Sequence, residues 1–131
     1  MSGKAYNFCL IDCPPTYNSL IVSAIQASDS LVIPTLISLY DFESVEFVLN
    51  EVEKIKELTK ILILNRVNKS INLESKYLSL FENSFKNVRI NRFPNMGTVR
   101  KVIDNHETLE KKSTEKLREN LKELSRAITK E

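Results

Sequence analysis

Four short apolar runs, each stopped by a proline or a polar residue, alternate with stretches whose apolar residues recur at helical spacing. That alternation constrains the fold more than any other feature. Phe8-Cys9-Leu10-Ile11 closes on Asp12 and Cys13-Pro14-Pro15, and Leu31-Val32-Ile33 closes on Pro34. Ile61-Leu62-Ile63-Leu64 closes on Asn65-Arg66, and Val88-Arg89-Ile90-Asn91-Arg92-Phe93 closes on Pro94. Runs of this length that are apolar throughout predict strands buried on both faces, whereas the fourth run alternates and predicts a less buried or edge strand. Strands alternating with helices imply right-handed crossovers and a mostly parallel sheet of about four strands, covered by helices.

The intervening helices are legible by period. Residues 19–27 form a short one. Residues 41–58 carry Phe42, Val45, Val48, Leu49, Val52 and Ile55 on one stripe, with Glu46, Glu53, Lys54 and Lys56 off it. Asn72 is placed as the cap of a helix reaching about Phe85, with Leu73, Tyr77, Leu80 and Phe81 facing inward. A short helical stretch is expected around residues 98–105. A last, charge-rich helix over 113–129 presents Leu117, Leu121, Leu124 and Ile128.

Composition excludes several classes. With 131 residues the chain builds a single domain, residues 1–131, and its 42% hydrophobic and 27% charged content is that of a globular protein. No apolar run approaches the roughly 20 residues of a bilayer span, and residues 1–5 lack an apolar signal core, so the expected compartment is the cytoplasm. A net charge of +2 does not by itself argue for nucleic acid. Cys9 and Cys13 lack the second pair that a zinc site requires and are read as small, reduced structural residues, while His106 is the single histidine. Tyr17, Tyr40 and Phe42 are read as core aromatics.

The chemistry is bounded by glycine. Only Gly3 and Gly97 are present. A phosphate-cradling loop of the form G-x-x-x-x-G-K-[ST] needs two glycines a few residues apart and then lysine, and this sequence has no such segment. Ligands of open α/β sheets bind at the carboxyl ends of the strands, which points to Asp12 with Pro14-Pro15, to Asn65 with Arg66, and to Pro94 with Asn95. An aspartate closing a hydrophobic strand suits Mg²⁺ held through water. It equally suits the capping of a turn.

Tyr6-Asn7-Phe8-Cys9-Leu10-Ile11-Asp12-Cys13-Pro14-Pro15 resembles the strand-D-x-P-P motif of ParA/Soj/MinD-type partition ATPases. Ala27-Ser28-Asp29-Ser30-Leu31-Val32-Ile33-Pro34 is similar to that group's ASDSVVIP segment. The resemblance implies a truncated P-loop NTPase fold of the SIMIBI-like kind, this chain corresponding to the C-terminal portion of a ParA-like ATPase domain. It implies ATP and Mg²⁺ as cofactors, with Asp12 near the metal and Pro14, Asn65 and Pro94 around the nucleotide. It implies service in plasmid or chromosome partition, with non-specific DNA and a ParB-like protein as partners. Lys69, Arg100 and Lys101 are the DNA-contact candidates, their alternative being solvated surface charges. The group's P-loop and water-ordering segment are not in this sequence, so no ATP turnover is expected of this chain alone; the alternative is an interaction module that pairs with a complete partition ATPase or its partner. In the group's fold the P-loop strand separates the Asp12 strand from the strand ending at Pro34. Without it a gap opens or the two strands pair directly, and self-association is expected to cover the exposed surface.

Overall fold

The computed structural model describes residues 6–68, 72–95 and 115–129. Its elements, in chain order, are α1 (Ser19–Ala27), β1 (Ser30–Thr35), α2 (Leu39–Ile55), β2 (Thr59–Val67), α3 (Asn72–Ser84), β3 (Arg89–Pro94) and α4 (Glu115–Thr129). The three strands form one parallel sheet in the order β1-β2-β3. The α/β reading therefore holds, with one strand fewer than the sequence suggested.

The helices begin where side chains can satisfy their free amides. Asn18 Oδ1 accepts from the backbone N–H groups of Leu20 and Ile21 at 3.0 and 3.2 Å, which fixes the start of α1. Ser38 Oγ accepts from Asp41 N at 3.1 Å and donates to its carboxylate at 2.5 Å, so α2 starts two residues before the apolar stripe indicated. Lys56 Nζ donates to the carbonyls of Ser28 and Gln26, at 2.9 and 3.4 Å, and ties the end of α2 to the carbonyl end of α1. Along the exposed side of α2, Lys54 donates to Glu51 at 2.5 Å; that hydrogen bond, and then the carboxylate charge, raise the Lys54 pKa.

Side chains alternate across the sheet, so register assigns the faces. Ile33, Leu62 and Ile90 form one row, and Leu64 lies one row further along the same face. This face packs on α2 and α3 through Val45, Leu49, Leu78 and Phe81. Phe81 meets Phe42 edge-on, with centroids at 5.3 Å, and Phe42 stacks on Phe85 at 5.2 Å. Each such pair adds about 0.5–1.5 kcal/mol beyond its buried area. Lys60 shares this face and is buried, its ammonium held by Glu53 of α2 at 2.6 Å. Arg92 likewise pairs with Glu82 of α3. Two successive right-handed crossovers in one direction account for α2 and α3 sharing a side. The other face carries Ile61 and Asn91, both buried, and α4 packs along β3, where Asn120 donates to the Arg92 carbonyl at 3.0 Å.

Several expectations need correction. Residues 8–11 form no strand, and Phe8, Leu10 and Ile11 are exposed. An apolar run becomes a buried strand only where another strand supplies hydrogen bonds, and none pairs with it here. Cys9 and Cys13 are free and exposed rather than buried. Leu73 and Leu80 of α3 face outward, because the inward stripe is Leu78, Phe81 and Phe85, one step round the helix. Tyr40 and Tyr17 are exposed, so of the three expected core aromatics only Phe42 packs against the core. In α4 the buried positions are Leu117 and Ala127, while Leu121 is exposed. The helix expected over 98–105 and the capping role of the Asn72 side chain lie outside what is described.

Candidate functional site

Because the sheet is parallel, all three strands deliver their carboxyl ends to one edge. β2 arrives there irregularly. Its pairing with β3 shifts register between Leu64 and Val67, where Asn65 and Arg66 stand opposite Phe93 alone. Arg66 sits at φ 56°, a left-handed conformation that costs a non-glycine residue about 1–2 kcal/mol. Asn65 Oδ1 accepts from Arg66 N at 2.9 Å and steadies the turn. Pairing resumes at Val67 with Pro94, and Asn95 N donates to the Val67 carbonyl at 3.1 Å. A bulge of this kind re-aims side chains at a strand end, as sites on such edges require.

β1 is the outer strand on the other side of β2, and its outer edge has no partner among the described residues. Thr59 N donates to the Asp29 carbonyl, which sets the alternation: backbone groups of Leu31, Ile33 and Thr35 turn toward β2. Those of Ser30, Val32 and Pro34 therefore turn outward. Pro34 offers a carbonyl but no N–H on this open edge, the place where a strand tolerates proline.

Beside that edge runs a groove of about 1040 Å³, as large as the biggest ordinary ligand pockets. Its lining includes Cys13, Pro14 and Pro15, residues 31–36, Ile21 and Ile25 of α1, Phe47 and Val48 of α2, and Asn65 at the strand end. Thr16 N donates to the Pro14 carbonyl at 2.8 Å, turning the chain along the groove, and Tyr17 meets Phe47 edge-on at 5.8 Å.

Two of the sequence-derived site residues, Pro14 and Asn65, thus line one cavity. Asp12 does not line it; it lies exposed on the approach, one residue before Cys13. Pro94 ends β3, in register with Val67 rather than in the groove. Lys69, Arg100 and Lys101 lie outside the described residues. The sequence reading missed Tyr40, Asp41 and Glu43, which bring an exposed ring and two carboxylates to the groove from the first turns of α2. The Ser38-x-x-Asp41 spacing was the signal that places this helix start beside the end of β1.

Magnesium takes near-octahedral oxygen donors, usually one or two carboxylates completed by phosphates and water. Among the described residues no three acidic, histidine or cysteine side chains gather as a metal set, and Asp12 stands apart on an exposed segment. No described helix is long and apolar enough to cross a membrane.

Comparison with known proteins bears on the first half of the chain. Residues 2–65 match the family model described as AAA domain. The chain is similar to the sporulation initiation inhibitor protein Soj of Bacillus subtilis (strain 168), with 31% identity over 77 residues, 59% of this chain and 27% of Soj. It therefore spans about a quarter of the length of that relative. No solved structure matches the chain. The match over residues 2–65 and the likeness to Soj agree with Asp12-Cys13-Pro14-Pro15 and the segment ending at Pro34, and make the first half of the chain similar to AAA domain sequences of the Soj type.

Proposed function

We propose that this chain supplies the nucleotide-base side of a ParA/Soj-type DNA-partition ATPase and does not hydrolyse ATP by itself. The observation that carries the reading is the groove between the Asp-x-Pro-Pro segment and the open edge of β1, with Asn65 at its end. In this reading Pro14, Asn65 and Pro94 border the nucleotide, and Asp12 reaches the metal through water once phosphates are held beside it. The glycine count supports the absence of turnover: with only Gly3 and Gly97, no backbone loop cradles the phosphates. Non-specific DNA, met through Lys69, Arg100 and Lys101, and a ParB-like protein are the proposed partners, and the cytoplasm the proposed compartment.

The test is phosphate release from Mg²⁺·ATP. The chain alone gives background rates. Adding a polypeptide that carries both the ParA-type P-loop and the water-ordering segment restores turnover, and Asp12→Ala removes it again. Hydrolysis by the chain alone that disappears in Asp12→Ala would overturn the proposal.

The open edge also favours a second reading, an interaction module that pairs with a complete partition ATPase or its partner protein. In that case titration with the complete ATPase yields a complex whose formation needs no nucleotide bound to this chain.

A further inference from the structure

β3 is the last strand of the sheet among the described residues, and α4 packs along it. The attachment is thin. In α4 only Leu117 and Ala127 are buried, while Leu121 is exposed. Asn120 Nδ2 donates to the Arg92 carbonyl at 3.0 Å. That carbonyl turns away from β2, because the strand alternates and Asn95 N turns toward it. α4 thus covers a sheet edge.

Beside this contact lies a group that works against it. Asn91 is 3% exposed on the face opposite α2 and α3, and its Oδ1 has no hydrogen-bond partner among the described residues. Its neighbours in register, Ile63 and then Pro34, are apolar and offer its side chain no donor. A buried amide oxygen left without a partner costs more than one ordinary hydrogen bond returns. Water satisfies that oxygen once the cover lifts.

From this we infer that α4 is a releasable cover of β3 and that Asn91 sets how readily it lifts. Docked, the helix holds the Arg92 carbonyl and buries Leu117 and Ala127. Lifted, it bares an outer edge that presents Arg92 N–H and C=O and the Pro94 carbonyl. The strand suits intermittent exposure, since Arg89 and Arg92 put charge on it, as natural edges do. The main core is not disturbed, because Val45, Leu49, Leu62, Leu64 and Phe81 pack between the sheet and the α2–α3 layer on the opposite face. A fifteen-residue helix is marginal in water by itself, so lifting α4 opens its amides to exchange.

Native-state amide exchange on the full chain, followed through sub-denaturing urea, tests this. The amides of α4 are expected to exchange through an opening that leaves the Leu62 and Leu64 amides closed and depends on urea less than global unfolding does. Asn91→Val replaces the unpartnered amide with an apolar side chain suited to a strand, and slows α4 exchange relative to β2 by about ten- to a hundredfold. Asn120→Ala speeds α4 exchange about fivefold and leaves β2 unchanged. One shared opening for α4 and β2, with one urea dependence, overturns the inference. So does an Asn91→Val chain in which α4 is not slowed relative to β2. If Asn91→Val does not fold, Asn120→Ala decides, and α4 amides that it fails to speed overturn the inference equally.

Discussion

Leu10 and Leu64 both end or nearly end a four-residue apolar run, and the fold assigns them opposite roles. Leu64 is fully buried between the sheet and the α2–α3 layer, whereas Leu10 is 84% exposed. Truncating a buried leucine to alanine costs about 2–5 kcal/mol, through lost transfer energy and the cavity left behind. Burying a whole leucine is worth about 1.5–3 kcal/mol, and Leu10 has about one sixth of its surface covered, so its truncation costs roughly 0.2–0.5 kcal/mol. With a urea dependence of about 1–3 kcal/mol per molar, Leu64→Ala lowers the unfolding midpoint by about 0.7 M or more, and Leu10→Ala by about 0.5 M at most. The assay is urea unfolding followed by far-ultraviolet circular dichroism, at a protein concentration low enough to keep the chain monomeric. A Leu10→Ala cost above about 1 kcal/mol would refute the placement of residues 8–11 outside the sheet, since an exposed leucine cannot lose that much.

Two further substitutions test local devices. Asn18→Ala removes the acceptor for two amides at the start of α1 and is expected to cost about 1 kcal/mol in the same unfolding assay. Arg66→Gly relieves the left-handed residue in the β2 bulge and is expected to stabilise by about 0.5–1 kcal/mol, whereas Arg66→Val destabilises by at least that much, because a β-branched residue suits this conformation least.

Most of the fold was legible because most of its elements are locally consistent. The α2 stripe of Val45, Leu49 and Val52 is buried as its spacing indicated, and α1 spans the residues the sequence assigned to it. Ile61, Leu62 and Leu64 are wholly buried because β2 has partners on both sides and cover on both faces. Residues 8–11 have the same local character and neither form of support. Periodicity reports what a segment can bury and is silent on whether a neighbour is there to receive it. The α3 error is of another kind: Leu73, Tyr77, Leu80 and Phe81 also satisfy a helical stripe, and only contact with Phe42 and the sheet selects the Leu78–Phe81–Phe85 side. At the candidate site, strand-end residues were readable from prolines and polar stops. The bulge at Asn65 and Arg66, and the entry of Tyr40, Asp41 and Glu43 into the groove, depend on register and helix placement that no single segment encodes.

The account turns on the state of the β1 edge and the segment before Asp12, and amide hydrogen exchange reads both residue by residue. In the dilute monomer, the amides of Leu31, Ile33 and the core of β2 are predicted to be protected, while those of residues 8–11 and of Val32 exchange at nearly unprotected rates. Strong protection of residues 8–11 together with Val32 at the same dilution would mean that the Asp12 segment ladders onto its own sheet, and would contradict both the open groove and the proposal built on it.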